Sequence, residues 1–312
     1  MIVRWGLEHL PEMLAGRRAF LLATERWELP VEVAGRWSEL PTHEEIDVSD
    51  ADVLLALGGG STIDTAKRVS AQTGLPLVSV PTTYSGAEWT GYFGVRDPRR
   101  KMRGGGGGAN LEGVVYEPTL TLGLPRAETG GTALNALAHC AEALYVHGHN
   151  AEADEWALRG ATTIDGALPR VLSDGGDLDA RTDLLRGAEA AGRALAGSGL
   201  ALGHAMAQAL GGAYGLPHGA MNALCLPPAL RFNEPAAPEA IALLGESLGT
   251  DDPAARAEKL ARLGGFERLR DFGVPEADLP SVAEAASQRA GAKANPRPAT
   301  AAEITELYES IW

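Results

Sequence analysis

The sequence predicts an α/β domain built on a parallel sheet, followed by an all-helical domain, and three observations predict it. Short apolar runs in the first 80 residues are each bounded by polar, glycine or proline residues, the pattern of buried parallel strands. A Gly-Gly-Gly-Ser turn at 58–61 lies between one such run and a helical stretch. From about residue 126, alanine- and leucine-rich segments with helical periodicity take over, and no run alternates with period two. A chain of 312 residues with 45% hydrophobic content can bury two cores. The boundary is placed at Leu124-Pro125, because proline disfavours helix in the residue before it, giving domains 1–124 and 125–312.

In chain order, residues 18–24 (RAFLLAT) form the first strand, 30–34 (PVEVA) the second and 52–57 (DVLLAL) the third, each too short for a core helix. The glycine turn, a helix over 62–72 and a strand over 75–80 (LPLVSV) complete a strand–helix–strand crossover, the unit of open parallel sheets. The segment Lys101–Asn110 carries five consecutive glycines, Gly104 to Gly108. Ordering glycine costs backbone entropy, so this segment reads as a mobile loop, either a plain connector or a lid. Helices follow over 130–146, 151–173, 178–210, 218–231, 237–249, 253–264, 279–291 and 299–312.

Composition excludes several classes. No stretch approaches the ~18 consecutive apolar residues of a membrane span, and the N-terminus lacks the apolar core of a secretory signal. Cys140 and Cys225 have no paired spacing, so neither a disulfide framework nor a cysteine metal site is indicated, and a cytoplasmic location is expected. A net charge of −14 argues against a general nucleic-acid binder and reads as a solubilising charge, leaving a small molecule as the expected partner.

Three groups of residues carry chemistry. In ALGGGSTIDTAK, Gly58, Gly59 and Gly60 between strand and helix let the backbone approach a phosphate, and the helix start offers unpaired N–H groups to an anion. Ser61 adds a hydroxyl, while Asp64 and Lys67 fall in the first two turns; the competing reading is an ordinary tight turn. Thr82 and Thr83 follow the next strand, where ligands of open α/β sheets sit, although such a segment is also a common turn. Asn135 and His139, His204 and Gln208, and His218 and Asn222 each share one helix face at a spacing of four. One histidine on an apolar helix is usually a core residue; three of seven in one helical domain point to a shared pocket, able to donate protons or bind a metal. His9, His43, His147 and His149 read as surface residues.

Together these motifs resemble the iron-containing alcohol dehydrogenase superfamily and, within it, the maleylacetate reductase branch. The resemblance runs from about residue 52 through ALGGGSTIDTAK, VPTTYSGAEWT, VVYEPTLTLGLP, LNALAHCAEALY, GHAMAQALGG, LPHGAMNALCLP and NPRPAT. It implies a Rossmann-like N-terminal domain plus a helical C-terminal domain, the dehydroquinate synthase-like fold. It also implies NADH or NADPH as cofactor, held by Gly58, Gly59, Gly60, Ser61, Thr82 and Thr83, with Thr24 and Asp64 as further cofactor-binding candidates. Thr24 stands where NAD-preferring members carry a ribose-binding aspartate, with Glu25 next, so either dinucleotide is expected. Metal-dependent members hold iron or zinc with an aspartate and three histidines; the histidines match His139, His204 and His218, but Asn135 replaces the aspartate and weakens the expected affinity.

Other departures bear on substrate. Gly203 and Gln208 replace histidines usual in the reductase branch, and Gly219, Ala220, Met221 and Asn222 replace a more polar, histidine-containing run. With 57 residues before the glycine turn, the first domain is expected to be shortened by a helix or a strand pair. The expected reaction is hydride transfer to a small carbonyl or enoyl-keto acid, with His139, His204 and His218 meeting the charge on oxygen and supplying a proton. Arg96, Arg99, Arg100, Lys101 and Arg103 form a basic run that suits either a substrate carboxylate or solvent. Competing readings are a non-redox lyase or cyclase of the dehydroquinate synthase type and a non-catalytic NAD(P)-binding protein. A homodimer is expected from the commonest symmetry.

Overall fold

The computed structural model describes residues 1–99 and 102–312. These form two compact units, Met1–Gly123 and Leu124–Trp312.

The first unit contains β1 (Ile2–Trp5), α1 (Leu10–Leu14), β2 (Ala19–Leu22), β3 (Gly35–Trp37), β4 (Val53–Gly58), α2 (Gly60–Thr73), β5 (Pro76–Pro81), β6 (Phe93–Asp97), β7 (Met102–Gly106) and β8 (Asn110–Tyr116). Six strands make a parallel sheet in the order β1-β8-β5-β4-β2-β3, while β6 and β7 pair antiparallel. The sheet is buried on both faces, and β4 shows how. Val53, Leu55 and Leu57 turn to a core shared with Leu10, Met13 and Leu14 of α1. Leu54 and Ala56 turn to Ile63, Ala66 and Val69 of α2 and to Ile46 and Val48.

Three sequence expectations change here. The second strand is Gly35–Trp37, not 30–34. Val31 and Val33 do pack against the core, but ladder pairing to β2 starts only where the Ala34 N–H reaches the Ala19 carbonyl at 2.8 Å. β1 was not anticipated. The glycine run is largely a strand rather than a loop: Gly104, Gly105 and Gly106 pair with Val95, Gly94 and Phe93. A Cβ at Gly106 would lie 2.7 Å from the Phe93 ring, so the missing side chains make room for that ring over the hairpin. Between β2 and β3, and again between β3 and β4, the described chain has neither helix nor strand, so connecting segments cover the sheet there.

The second unit contains α3 (Arg126–Ala143), α4 (Ala151–Ser173), α5 (Leu178–Ser198), α6 (Leu202–Tyr214), α7 (His218–Asn233), α8 (Pro238–Ser247), α9 (Pro253–Gly264), α10 (Leu279–Ser287), α11 (Ala290–Lys293) and α12 (Ala301–Ser310). Asn150, Asp177 and Asp252 cap α4, α5 and α9, and Thr300 with Glu303 forms a capping box on α12. The single helix expected over 178–210 is two, broken at Gly199 with φ +123°. α3 is the central helix: from Thr129 to Ala143 every residue except Thr132 is buried.

Candidate active site

In the first unit the site lies at a topological switch. The chain steps outward from β2 to β3 and then returns to place β4 on the other side of β2, and ligands of such sheets bind beyond the strand ends at that point. Thr24 follows β2 and the glycine turn follows β4. Thr24 is half-buried, and its carbonyl accepts from the Arg36 guanidinium at 2.6 Å. The next strand, β5, delivers Thr82 and Thr83 beside the turn: the Thr82 N–H donates to the Gly58 carbonyl at 3.0 Å.

The turn is built to be bare. A Cβ at Gly58 would lie 2.6 Å from Thr62 Oγ1, one at Gly59 2.9 Å from Thr83 Cγ2, and one at Gly60 3.2 Å from Ser85 Oγ. Gly59 caps α2 without any side-chain acceptor, and Ser61 is exposed. Backbone amides at the start of α2, with no side chain to occupy them, form a cradle that fits a dinucleotide pyrophosphate. Ser85 belongs to this cradle and was missed; its sequence signal is adjacency to Thr82-Thr83.

Asp64 and Lys67 do something else. Lys67 is 1% exposed, pairs with Asp64 Oδ1 at 2.6 Å and donates to the carbonyls of Ala87, at 2.8 Å, and Tyr92. The other Asp64 oxygen accepts the Gly94 N–H at 3.0 Å. The pair braces the β6–β7 hairpin against α2, and both Asp64 oxygens are engaged there. Of the basic run, Arg100 and Lys101 lie outside the described residues. Arg99 donates to the Pro41 carbonyl at 3.0 Å, and Arg96 and Arg103 are cross-strand neighbours in the hairpin.

In the second unit the structure brings Asn135, His139, His204, His218 and Asn222 together. The His139 and His204 rings stack with centroids 4.7 Å apart, and His218 tilts against His204 at 5.9 Å. His139 and His204 are 4% and 1% exposed. Burial first, then the neighbouring His204 and His218 rings, hold the His139 imidazole well below its ordinary range, so it is neutral near pH 7. His139 Nδ1, His204 Nε2 and Asn222 Oδ1 are buried and lack hydrogen-bond partners. Buried polar atoms without partners are uncommon, and their clustering makes these residues the candidate catalytic group.

α7 reaches this cluster because it crosses α3 at two glycines: a Cβ at Gly219 would sit inside van der Waals contact of the Gly131 carbonyl. Glu142, one turn beyond His139 and fully buried, lies 2.7 Å from His204 Nδ1. Sequence reasoning missed it, although it is the only charged residue between Thr129 and Val146. Gln208 is not part of this hydrogen-bonded group; its side chain and carbonyl accept from Arg289 at 3.4 and 3.1 Å.

The donor set does not fit a tightly held metal. It contains no carboxylate, and the Asn222 amide nitrogen lies between two would-be ligand atoms, donating to Asn135 Oδ1 at 2.6 Å and standing 3.0 Å from His218 Nε2. Among the described residues no three His, Cys, Asp or Glu side chains are arranged to share one ion. His43 also differs from expectation: it is half-buried, with Nε2 3.0 Å from the Val95 carbonyl.

The whole chain has known relatives. Residues 129–312 match the C-terminal domain of the Fe-containing alcohol dehydrogenase family, and residues 42–109 match iron-containing alcohol dehydrogenase. Maleylacetate reductase 1 of Rhodococcus opacus is 36% identical over 269 residues, 86% of this chain and 75% of the relative. A maleylacetate reductase of Burkholderia cepacia is 34% identical, covering 98% of this chain and 85% of its own. The crystal structure of maleylacetate reductase from Agrobacterium tumefaciens superposes with a TM-score of 0.88 at 30% identity, over 100% of this chain and 95% of that one. The chain therefore belongs to the iron-containing alcohol dehydrogenase family, in its maleylacetate reductase-like branch, and is an NAD(P)H-dependent oxidoreductase.

Proposed function

We propose that the protein reduces a small keto or enoyl-keto acid of the maleylacetate type, using a histidine cluster rather than a bound metal at the reacting oxygen. The observation that supports this most is the buried group of orphaned atoms, His139 Nδ1, His204 Nε2 and Asn222 Oδ1, around the stacked His139 and His204 rings. When bound, NAD(P)H supplies the hydride. Gly58, Gly59, Gly60 and Ser61 hold the pyrophosphate on bare backbone amides, and Thr82 and Thr83 orient the dinucleotide. Thr24 in place of a carboxylate leaves both NADH and NADPH acceptable.

As hydride adds to the substrate, negative charge grows on its oxygen. Imidazole N–H groups of the buried His139 and the exposed His218 meet that charge as fixed donors. The oxygen takes its proton from solvent by way of the exposed His218, while His204, unprotonated at Nε2, accepts a hydrogen bond and orients the donor. The substrate's carboxylate is inferred from the relatives' substrate class. The lyase or cyclase alternative needs a firmly held metal, which the Asn135–Asn222–His218 arrangement does not offer. No described helix is long and apolar enough to cross a membrane; the expected partner is a small molecule, and the homodimer is inferred from the commonest symmetry alone.

The test follows nicotinamide absorbance with maleylacetate and a panel of keto acids, aldehydes and quinones, with NADH or NADPH, before and after exhaustive chelation. Chelator-resistant oxidation of the cofactor is expected. Activity abolished by chelator and restored by zinc or iron would overturn the histidine-only reading, and no turnover of any compound would overturn the reductase assignment.

A further inference from the structure

We propose that Glu142 is a positioning residue that fixes the His204 ring with Nδ1 as donor, so that Nε2 presents a bare lone pair. The inference rests on reading the histidine cluster as the site that meets the substrate oxygen, but its evidence is independent of any substrate. α6 starts at Leu202 with Ala201 as its cap residue, and no side chain of its own caps it. Its first amides are satisfied from elsewhere. Glu142 Oε2 accepts the Ala201 N–H at 2.6 Å and Oε1 accepts the His204 N–H at 2.9 Å. Asn295, the asparagine of NPRPAT, accepts the Leu202 N–H at 3.3 Å and is itself held by paired amide bonds to Asn233 at 2.6 and 3.0 Å. Two separate elements thus clamp the start of the helix that carries His204.

The clamp determines the ring. Each oxygen of Glu142 already accepts a main-chain N–H, so the carboxylate is an acceptor on both sides, and its 2.7 Å contact with His204 Nδ1 is an N–H donation from the ring. Nδ1 then carries the ring proton, and Nε2 is the atom left buried without a partner. Gly203 permits the approach: a Cβ there would lie 2.9 Å from Glu142 Oε1 and push the carboxylate out of line. The histidine usual at that position in the reductase branch is thus replaced by a residue that leaves the carboxylate its place beside His204.

The experiment records two-bond ¹H–¹⁵N spectra of the full-length protein labelled at histidine nitrogen, with His204 assigned by comparison with His204→Gln. The expected spectrum shows His204 protonated at Nδ1 and bare at Nε2. In Glu142→Gln one amide hydrogen pair must face a donor, so the other tautomer becomes populated and kcat falls by about 10²- to 10⁴-fold, while the NAD(P)H dissociation constant is unchanged. A wild-type His204 carrying its proton on Nε2 would overturn the proposal, and so would a Glu142→Gln protein with the wild-type tautomer. If Glu142→Gln does not fold, the wild-type spectrum decides alone. A bare Nε2 in a protein that turns over no carbonyl compound supports the placement and counts against the reaction instead.

Discussion

At the scale of the residue, Glu303 shows how a motif near the chain end acts on stability through charge. Its carboxylate accepts from Arg297 at 2.6 Å, from the Thr300 N–H at 2.8 Å and from the Thr300 hydroxyl at 2.9 Å. These contacts, Arg297 first, lower its pKa to about 2. A carboxylate whose folded pKa is depressed binds fewer protons folded than unfolded, so its stabilisation is complete above the unfolded value of 4.5 and is lost as pH falls toward 2. Glu303→Gln is therefore expected to lower the free energy of urea unfolding at neutral pH by less than about 1 kcal/mol, because the pair is solvent-accessible. The difference from wild type should shrink steadily between pH 4.5 and 2. A difference independent of pH would mean that shape, not charge, makes the cap.

At the scale of the element, two close approaches carry the site, and each is open to one added methyl group. Gly219→Ala forces the start of α7 away from Gly131 of α3, so a loss of about 1–3 kcal/mol is expected in denaturant melts. Because His218 is the neighbouring residue, activity at temperatures where the variant is still folded should fall further than stability alone explains. Gly59→Ala presses on Thr83 at the mouth of the cofactor cradle. It is expected to weaken NAD(P)H binding about tenfold, or ~1.4 kcal/mol, in a fluorescence titration, with little change in kcat at saturating cofactor. An unchanged dissociation constant would remove the glycine turn from the binding site.

The same elements show what was legible beforehand. β4, the glycine turn, α2 and β5 could be read because a continuous apolar run, a glycine cluster and a helical period follow one another without overlap. The strand at Gly35–Trp37 could not, since Val31 and Val33 alternate inward in a segment that makes no ladder, while Gly35 has no side chain to signal the strand. The hairpin strand at 102–106 was hidden for the opposite reason: a glycine run signals freedom, whereas Gly104 to Gly106 pair with β6 and Gly106 leaves room for the Phe93 ring. The histidines were legible from spacing. Glu142 and the Asn135–Asn222 contact were not, because they depend on which helices cross, and a one-dimensional period cannot give that.

For the molecule as a whole, the question with the widest consequence is whether its stability depends on a metal. An ion that binds only the folded chain adds about 2.7 kcal/mol when present at a hundred times its dissociation constant, several degrees of melting temperature for a protein this size. Asn135, His139, His204 and His218 supply no anionic ligand, and Asn222 already donates to Asn135. Added zinc is thus expected to leave the melting temperature of the wild type unchanged, and prior chelation should do the same. Asn135→Asp makes the contrast: it restores a carboxylate at the one position where the donor set lacks it, and turns the Asn222 amide into a partner of that charge. This variant is expected to gain zinc-dependent stabilisation, read as a rise in melting temperature that saturates with zinc. Equal shifts in wild type and variant would show that the neutral amide is a sufficient ligand and that Asn222 moves aside, and the histidine-only chemistry would fall with it. A shift confined to Asn135→Asp would show that a single amide separates this chain from metal dependence.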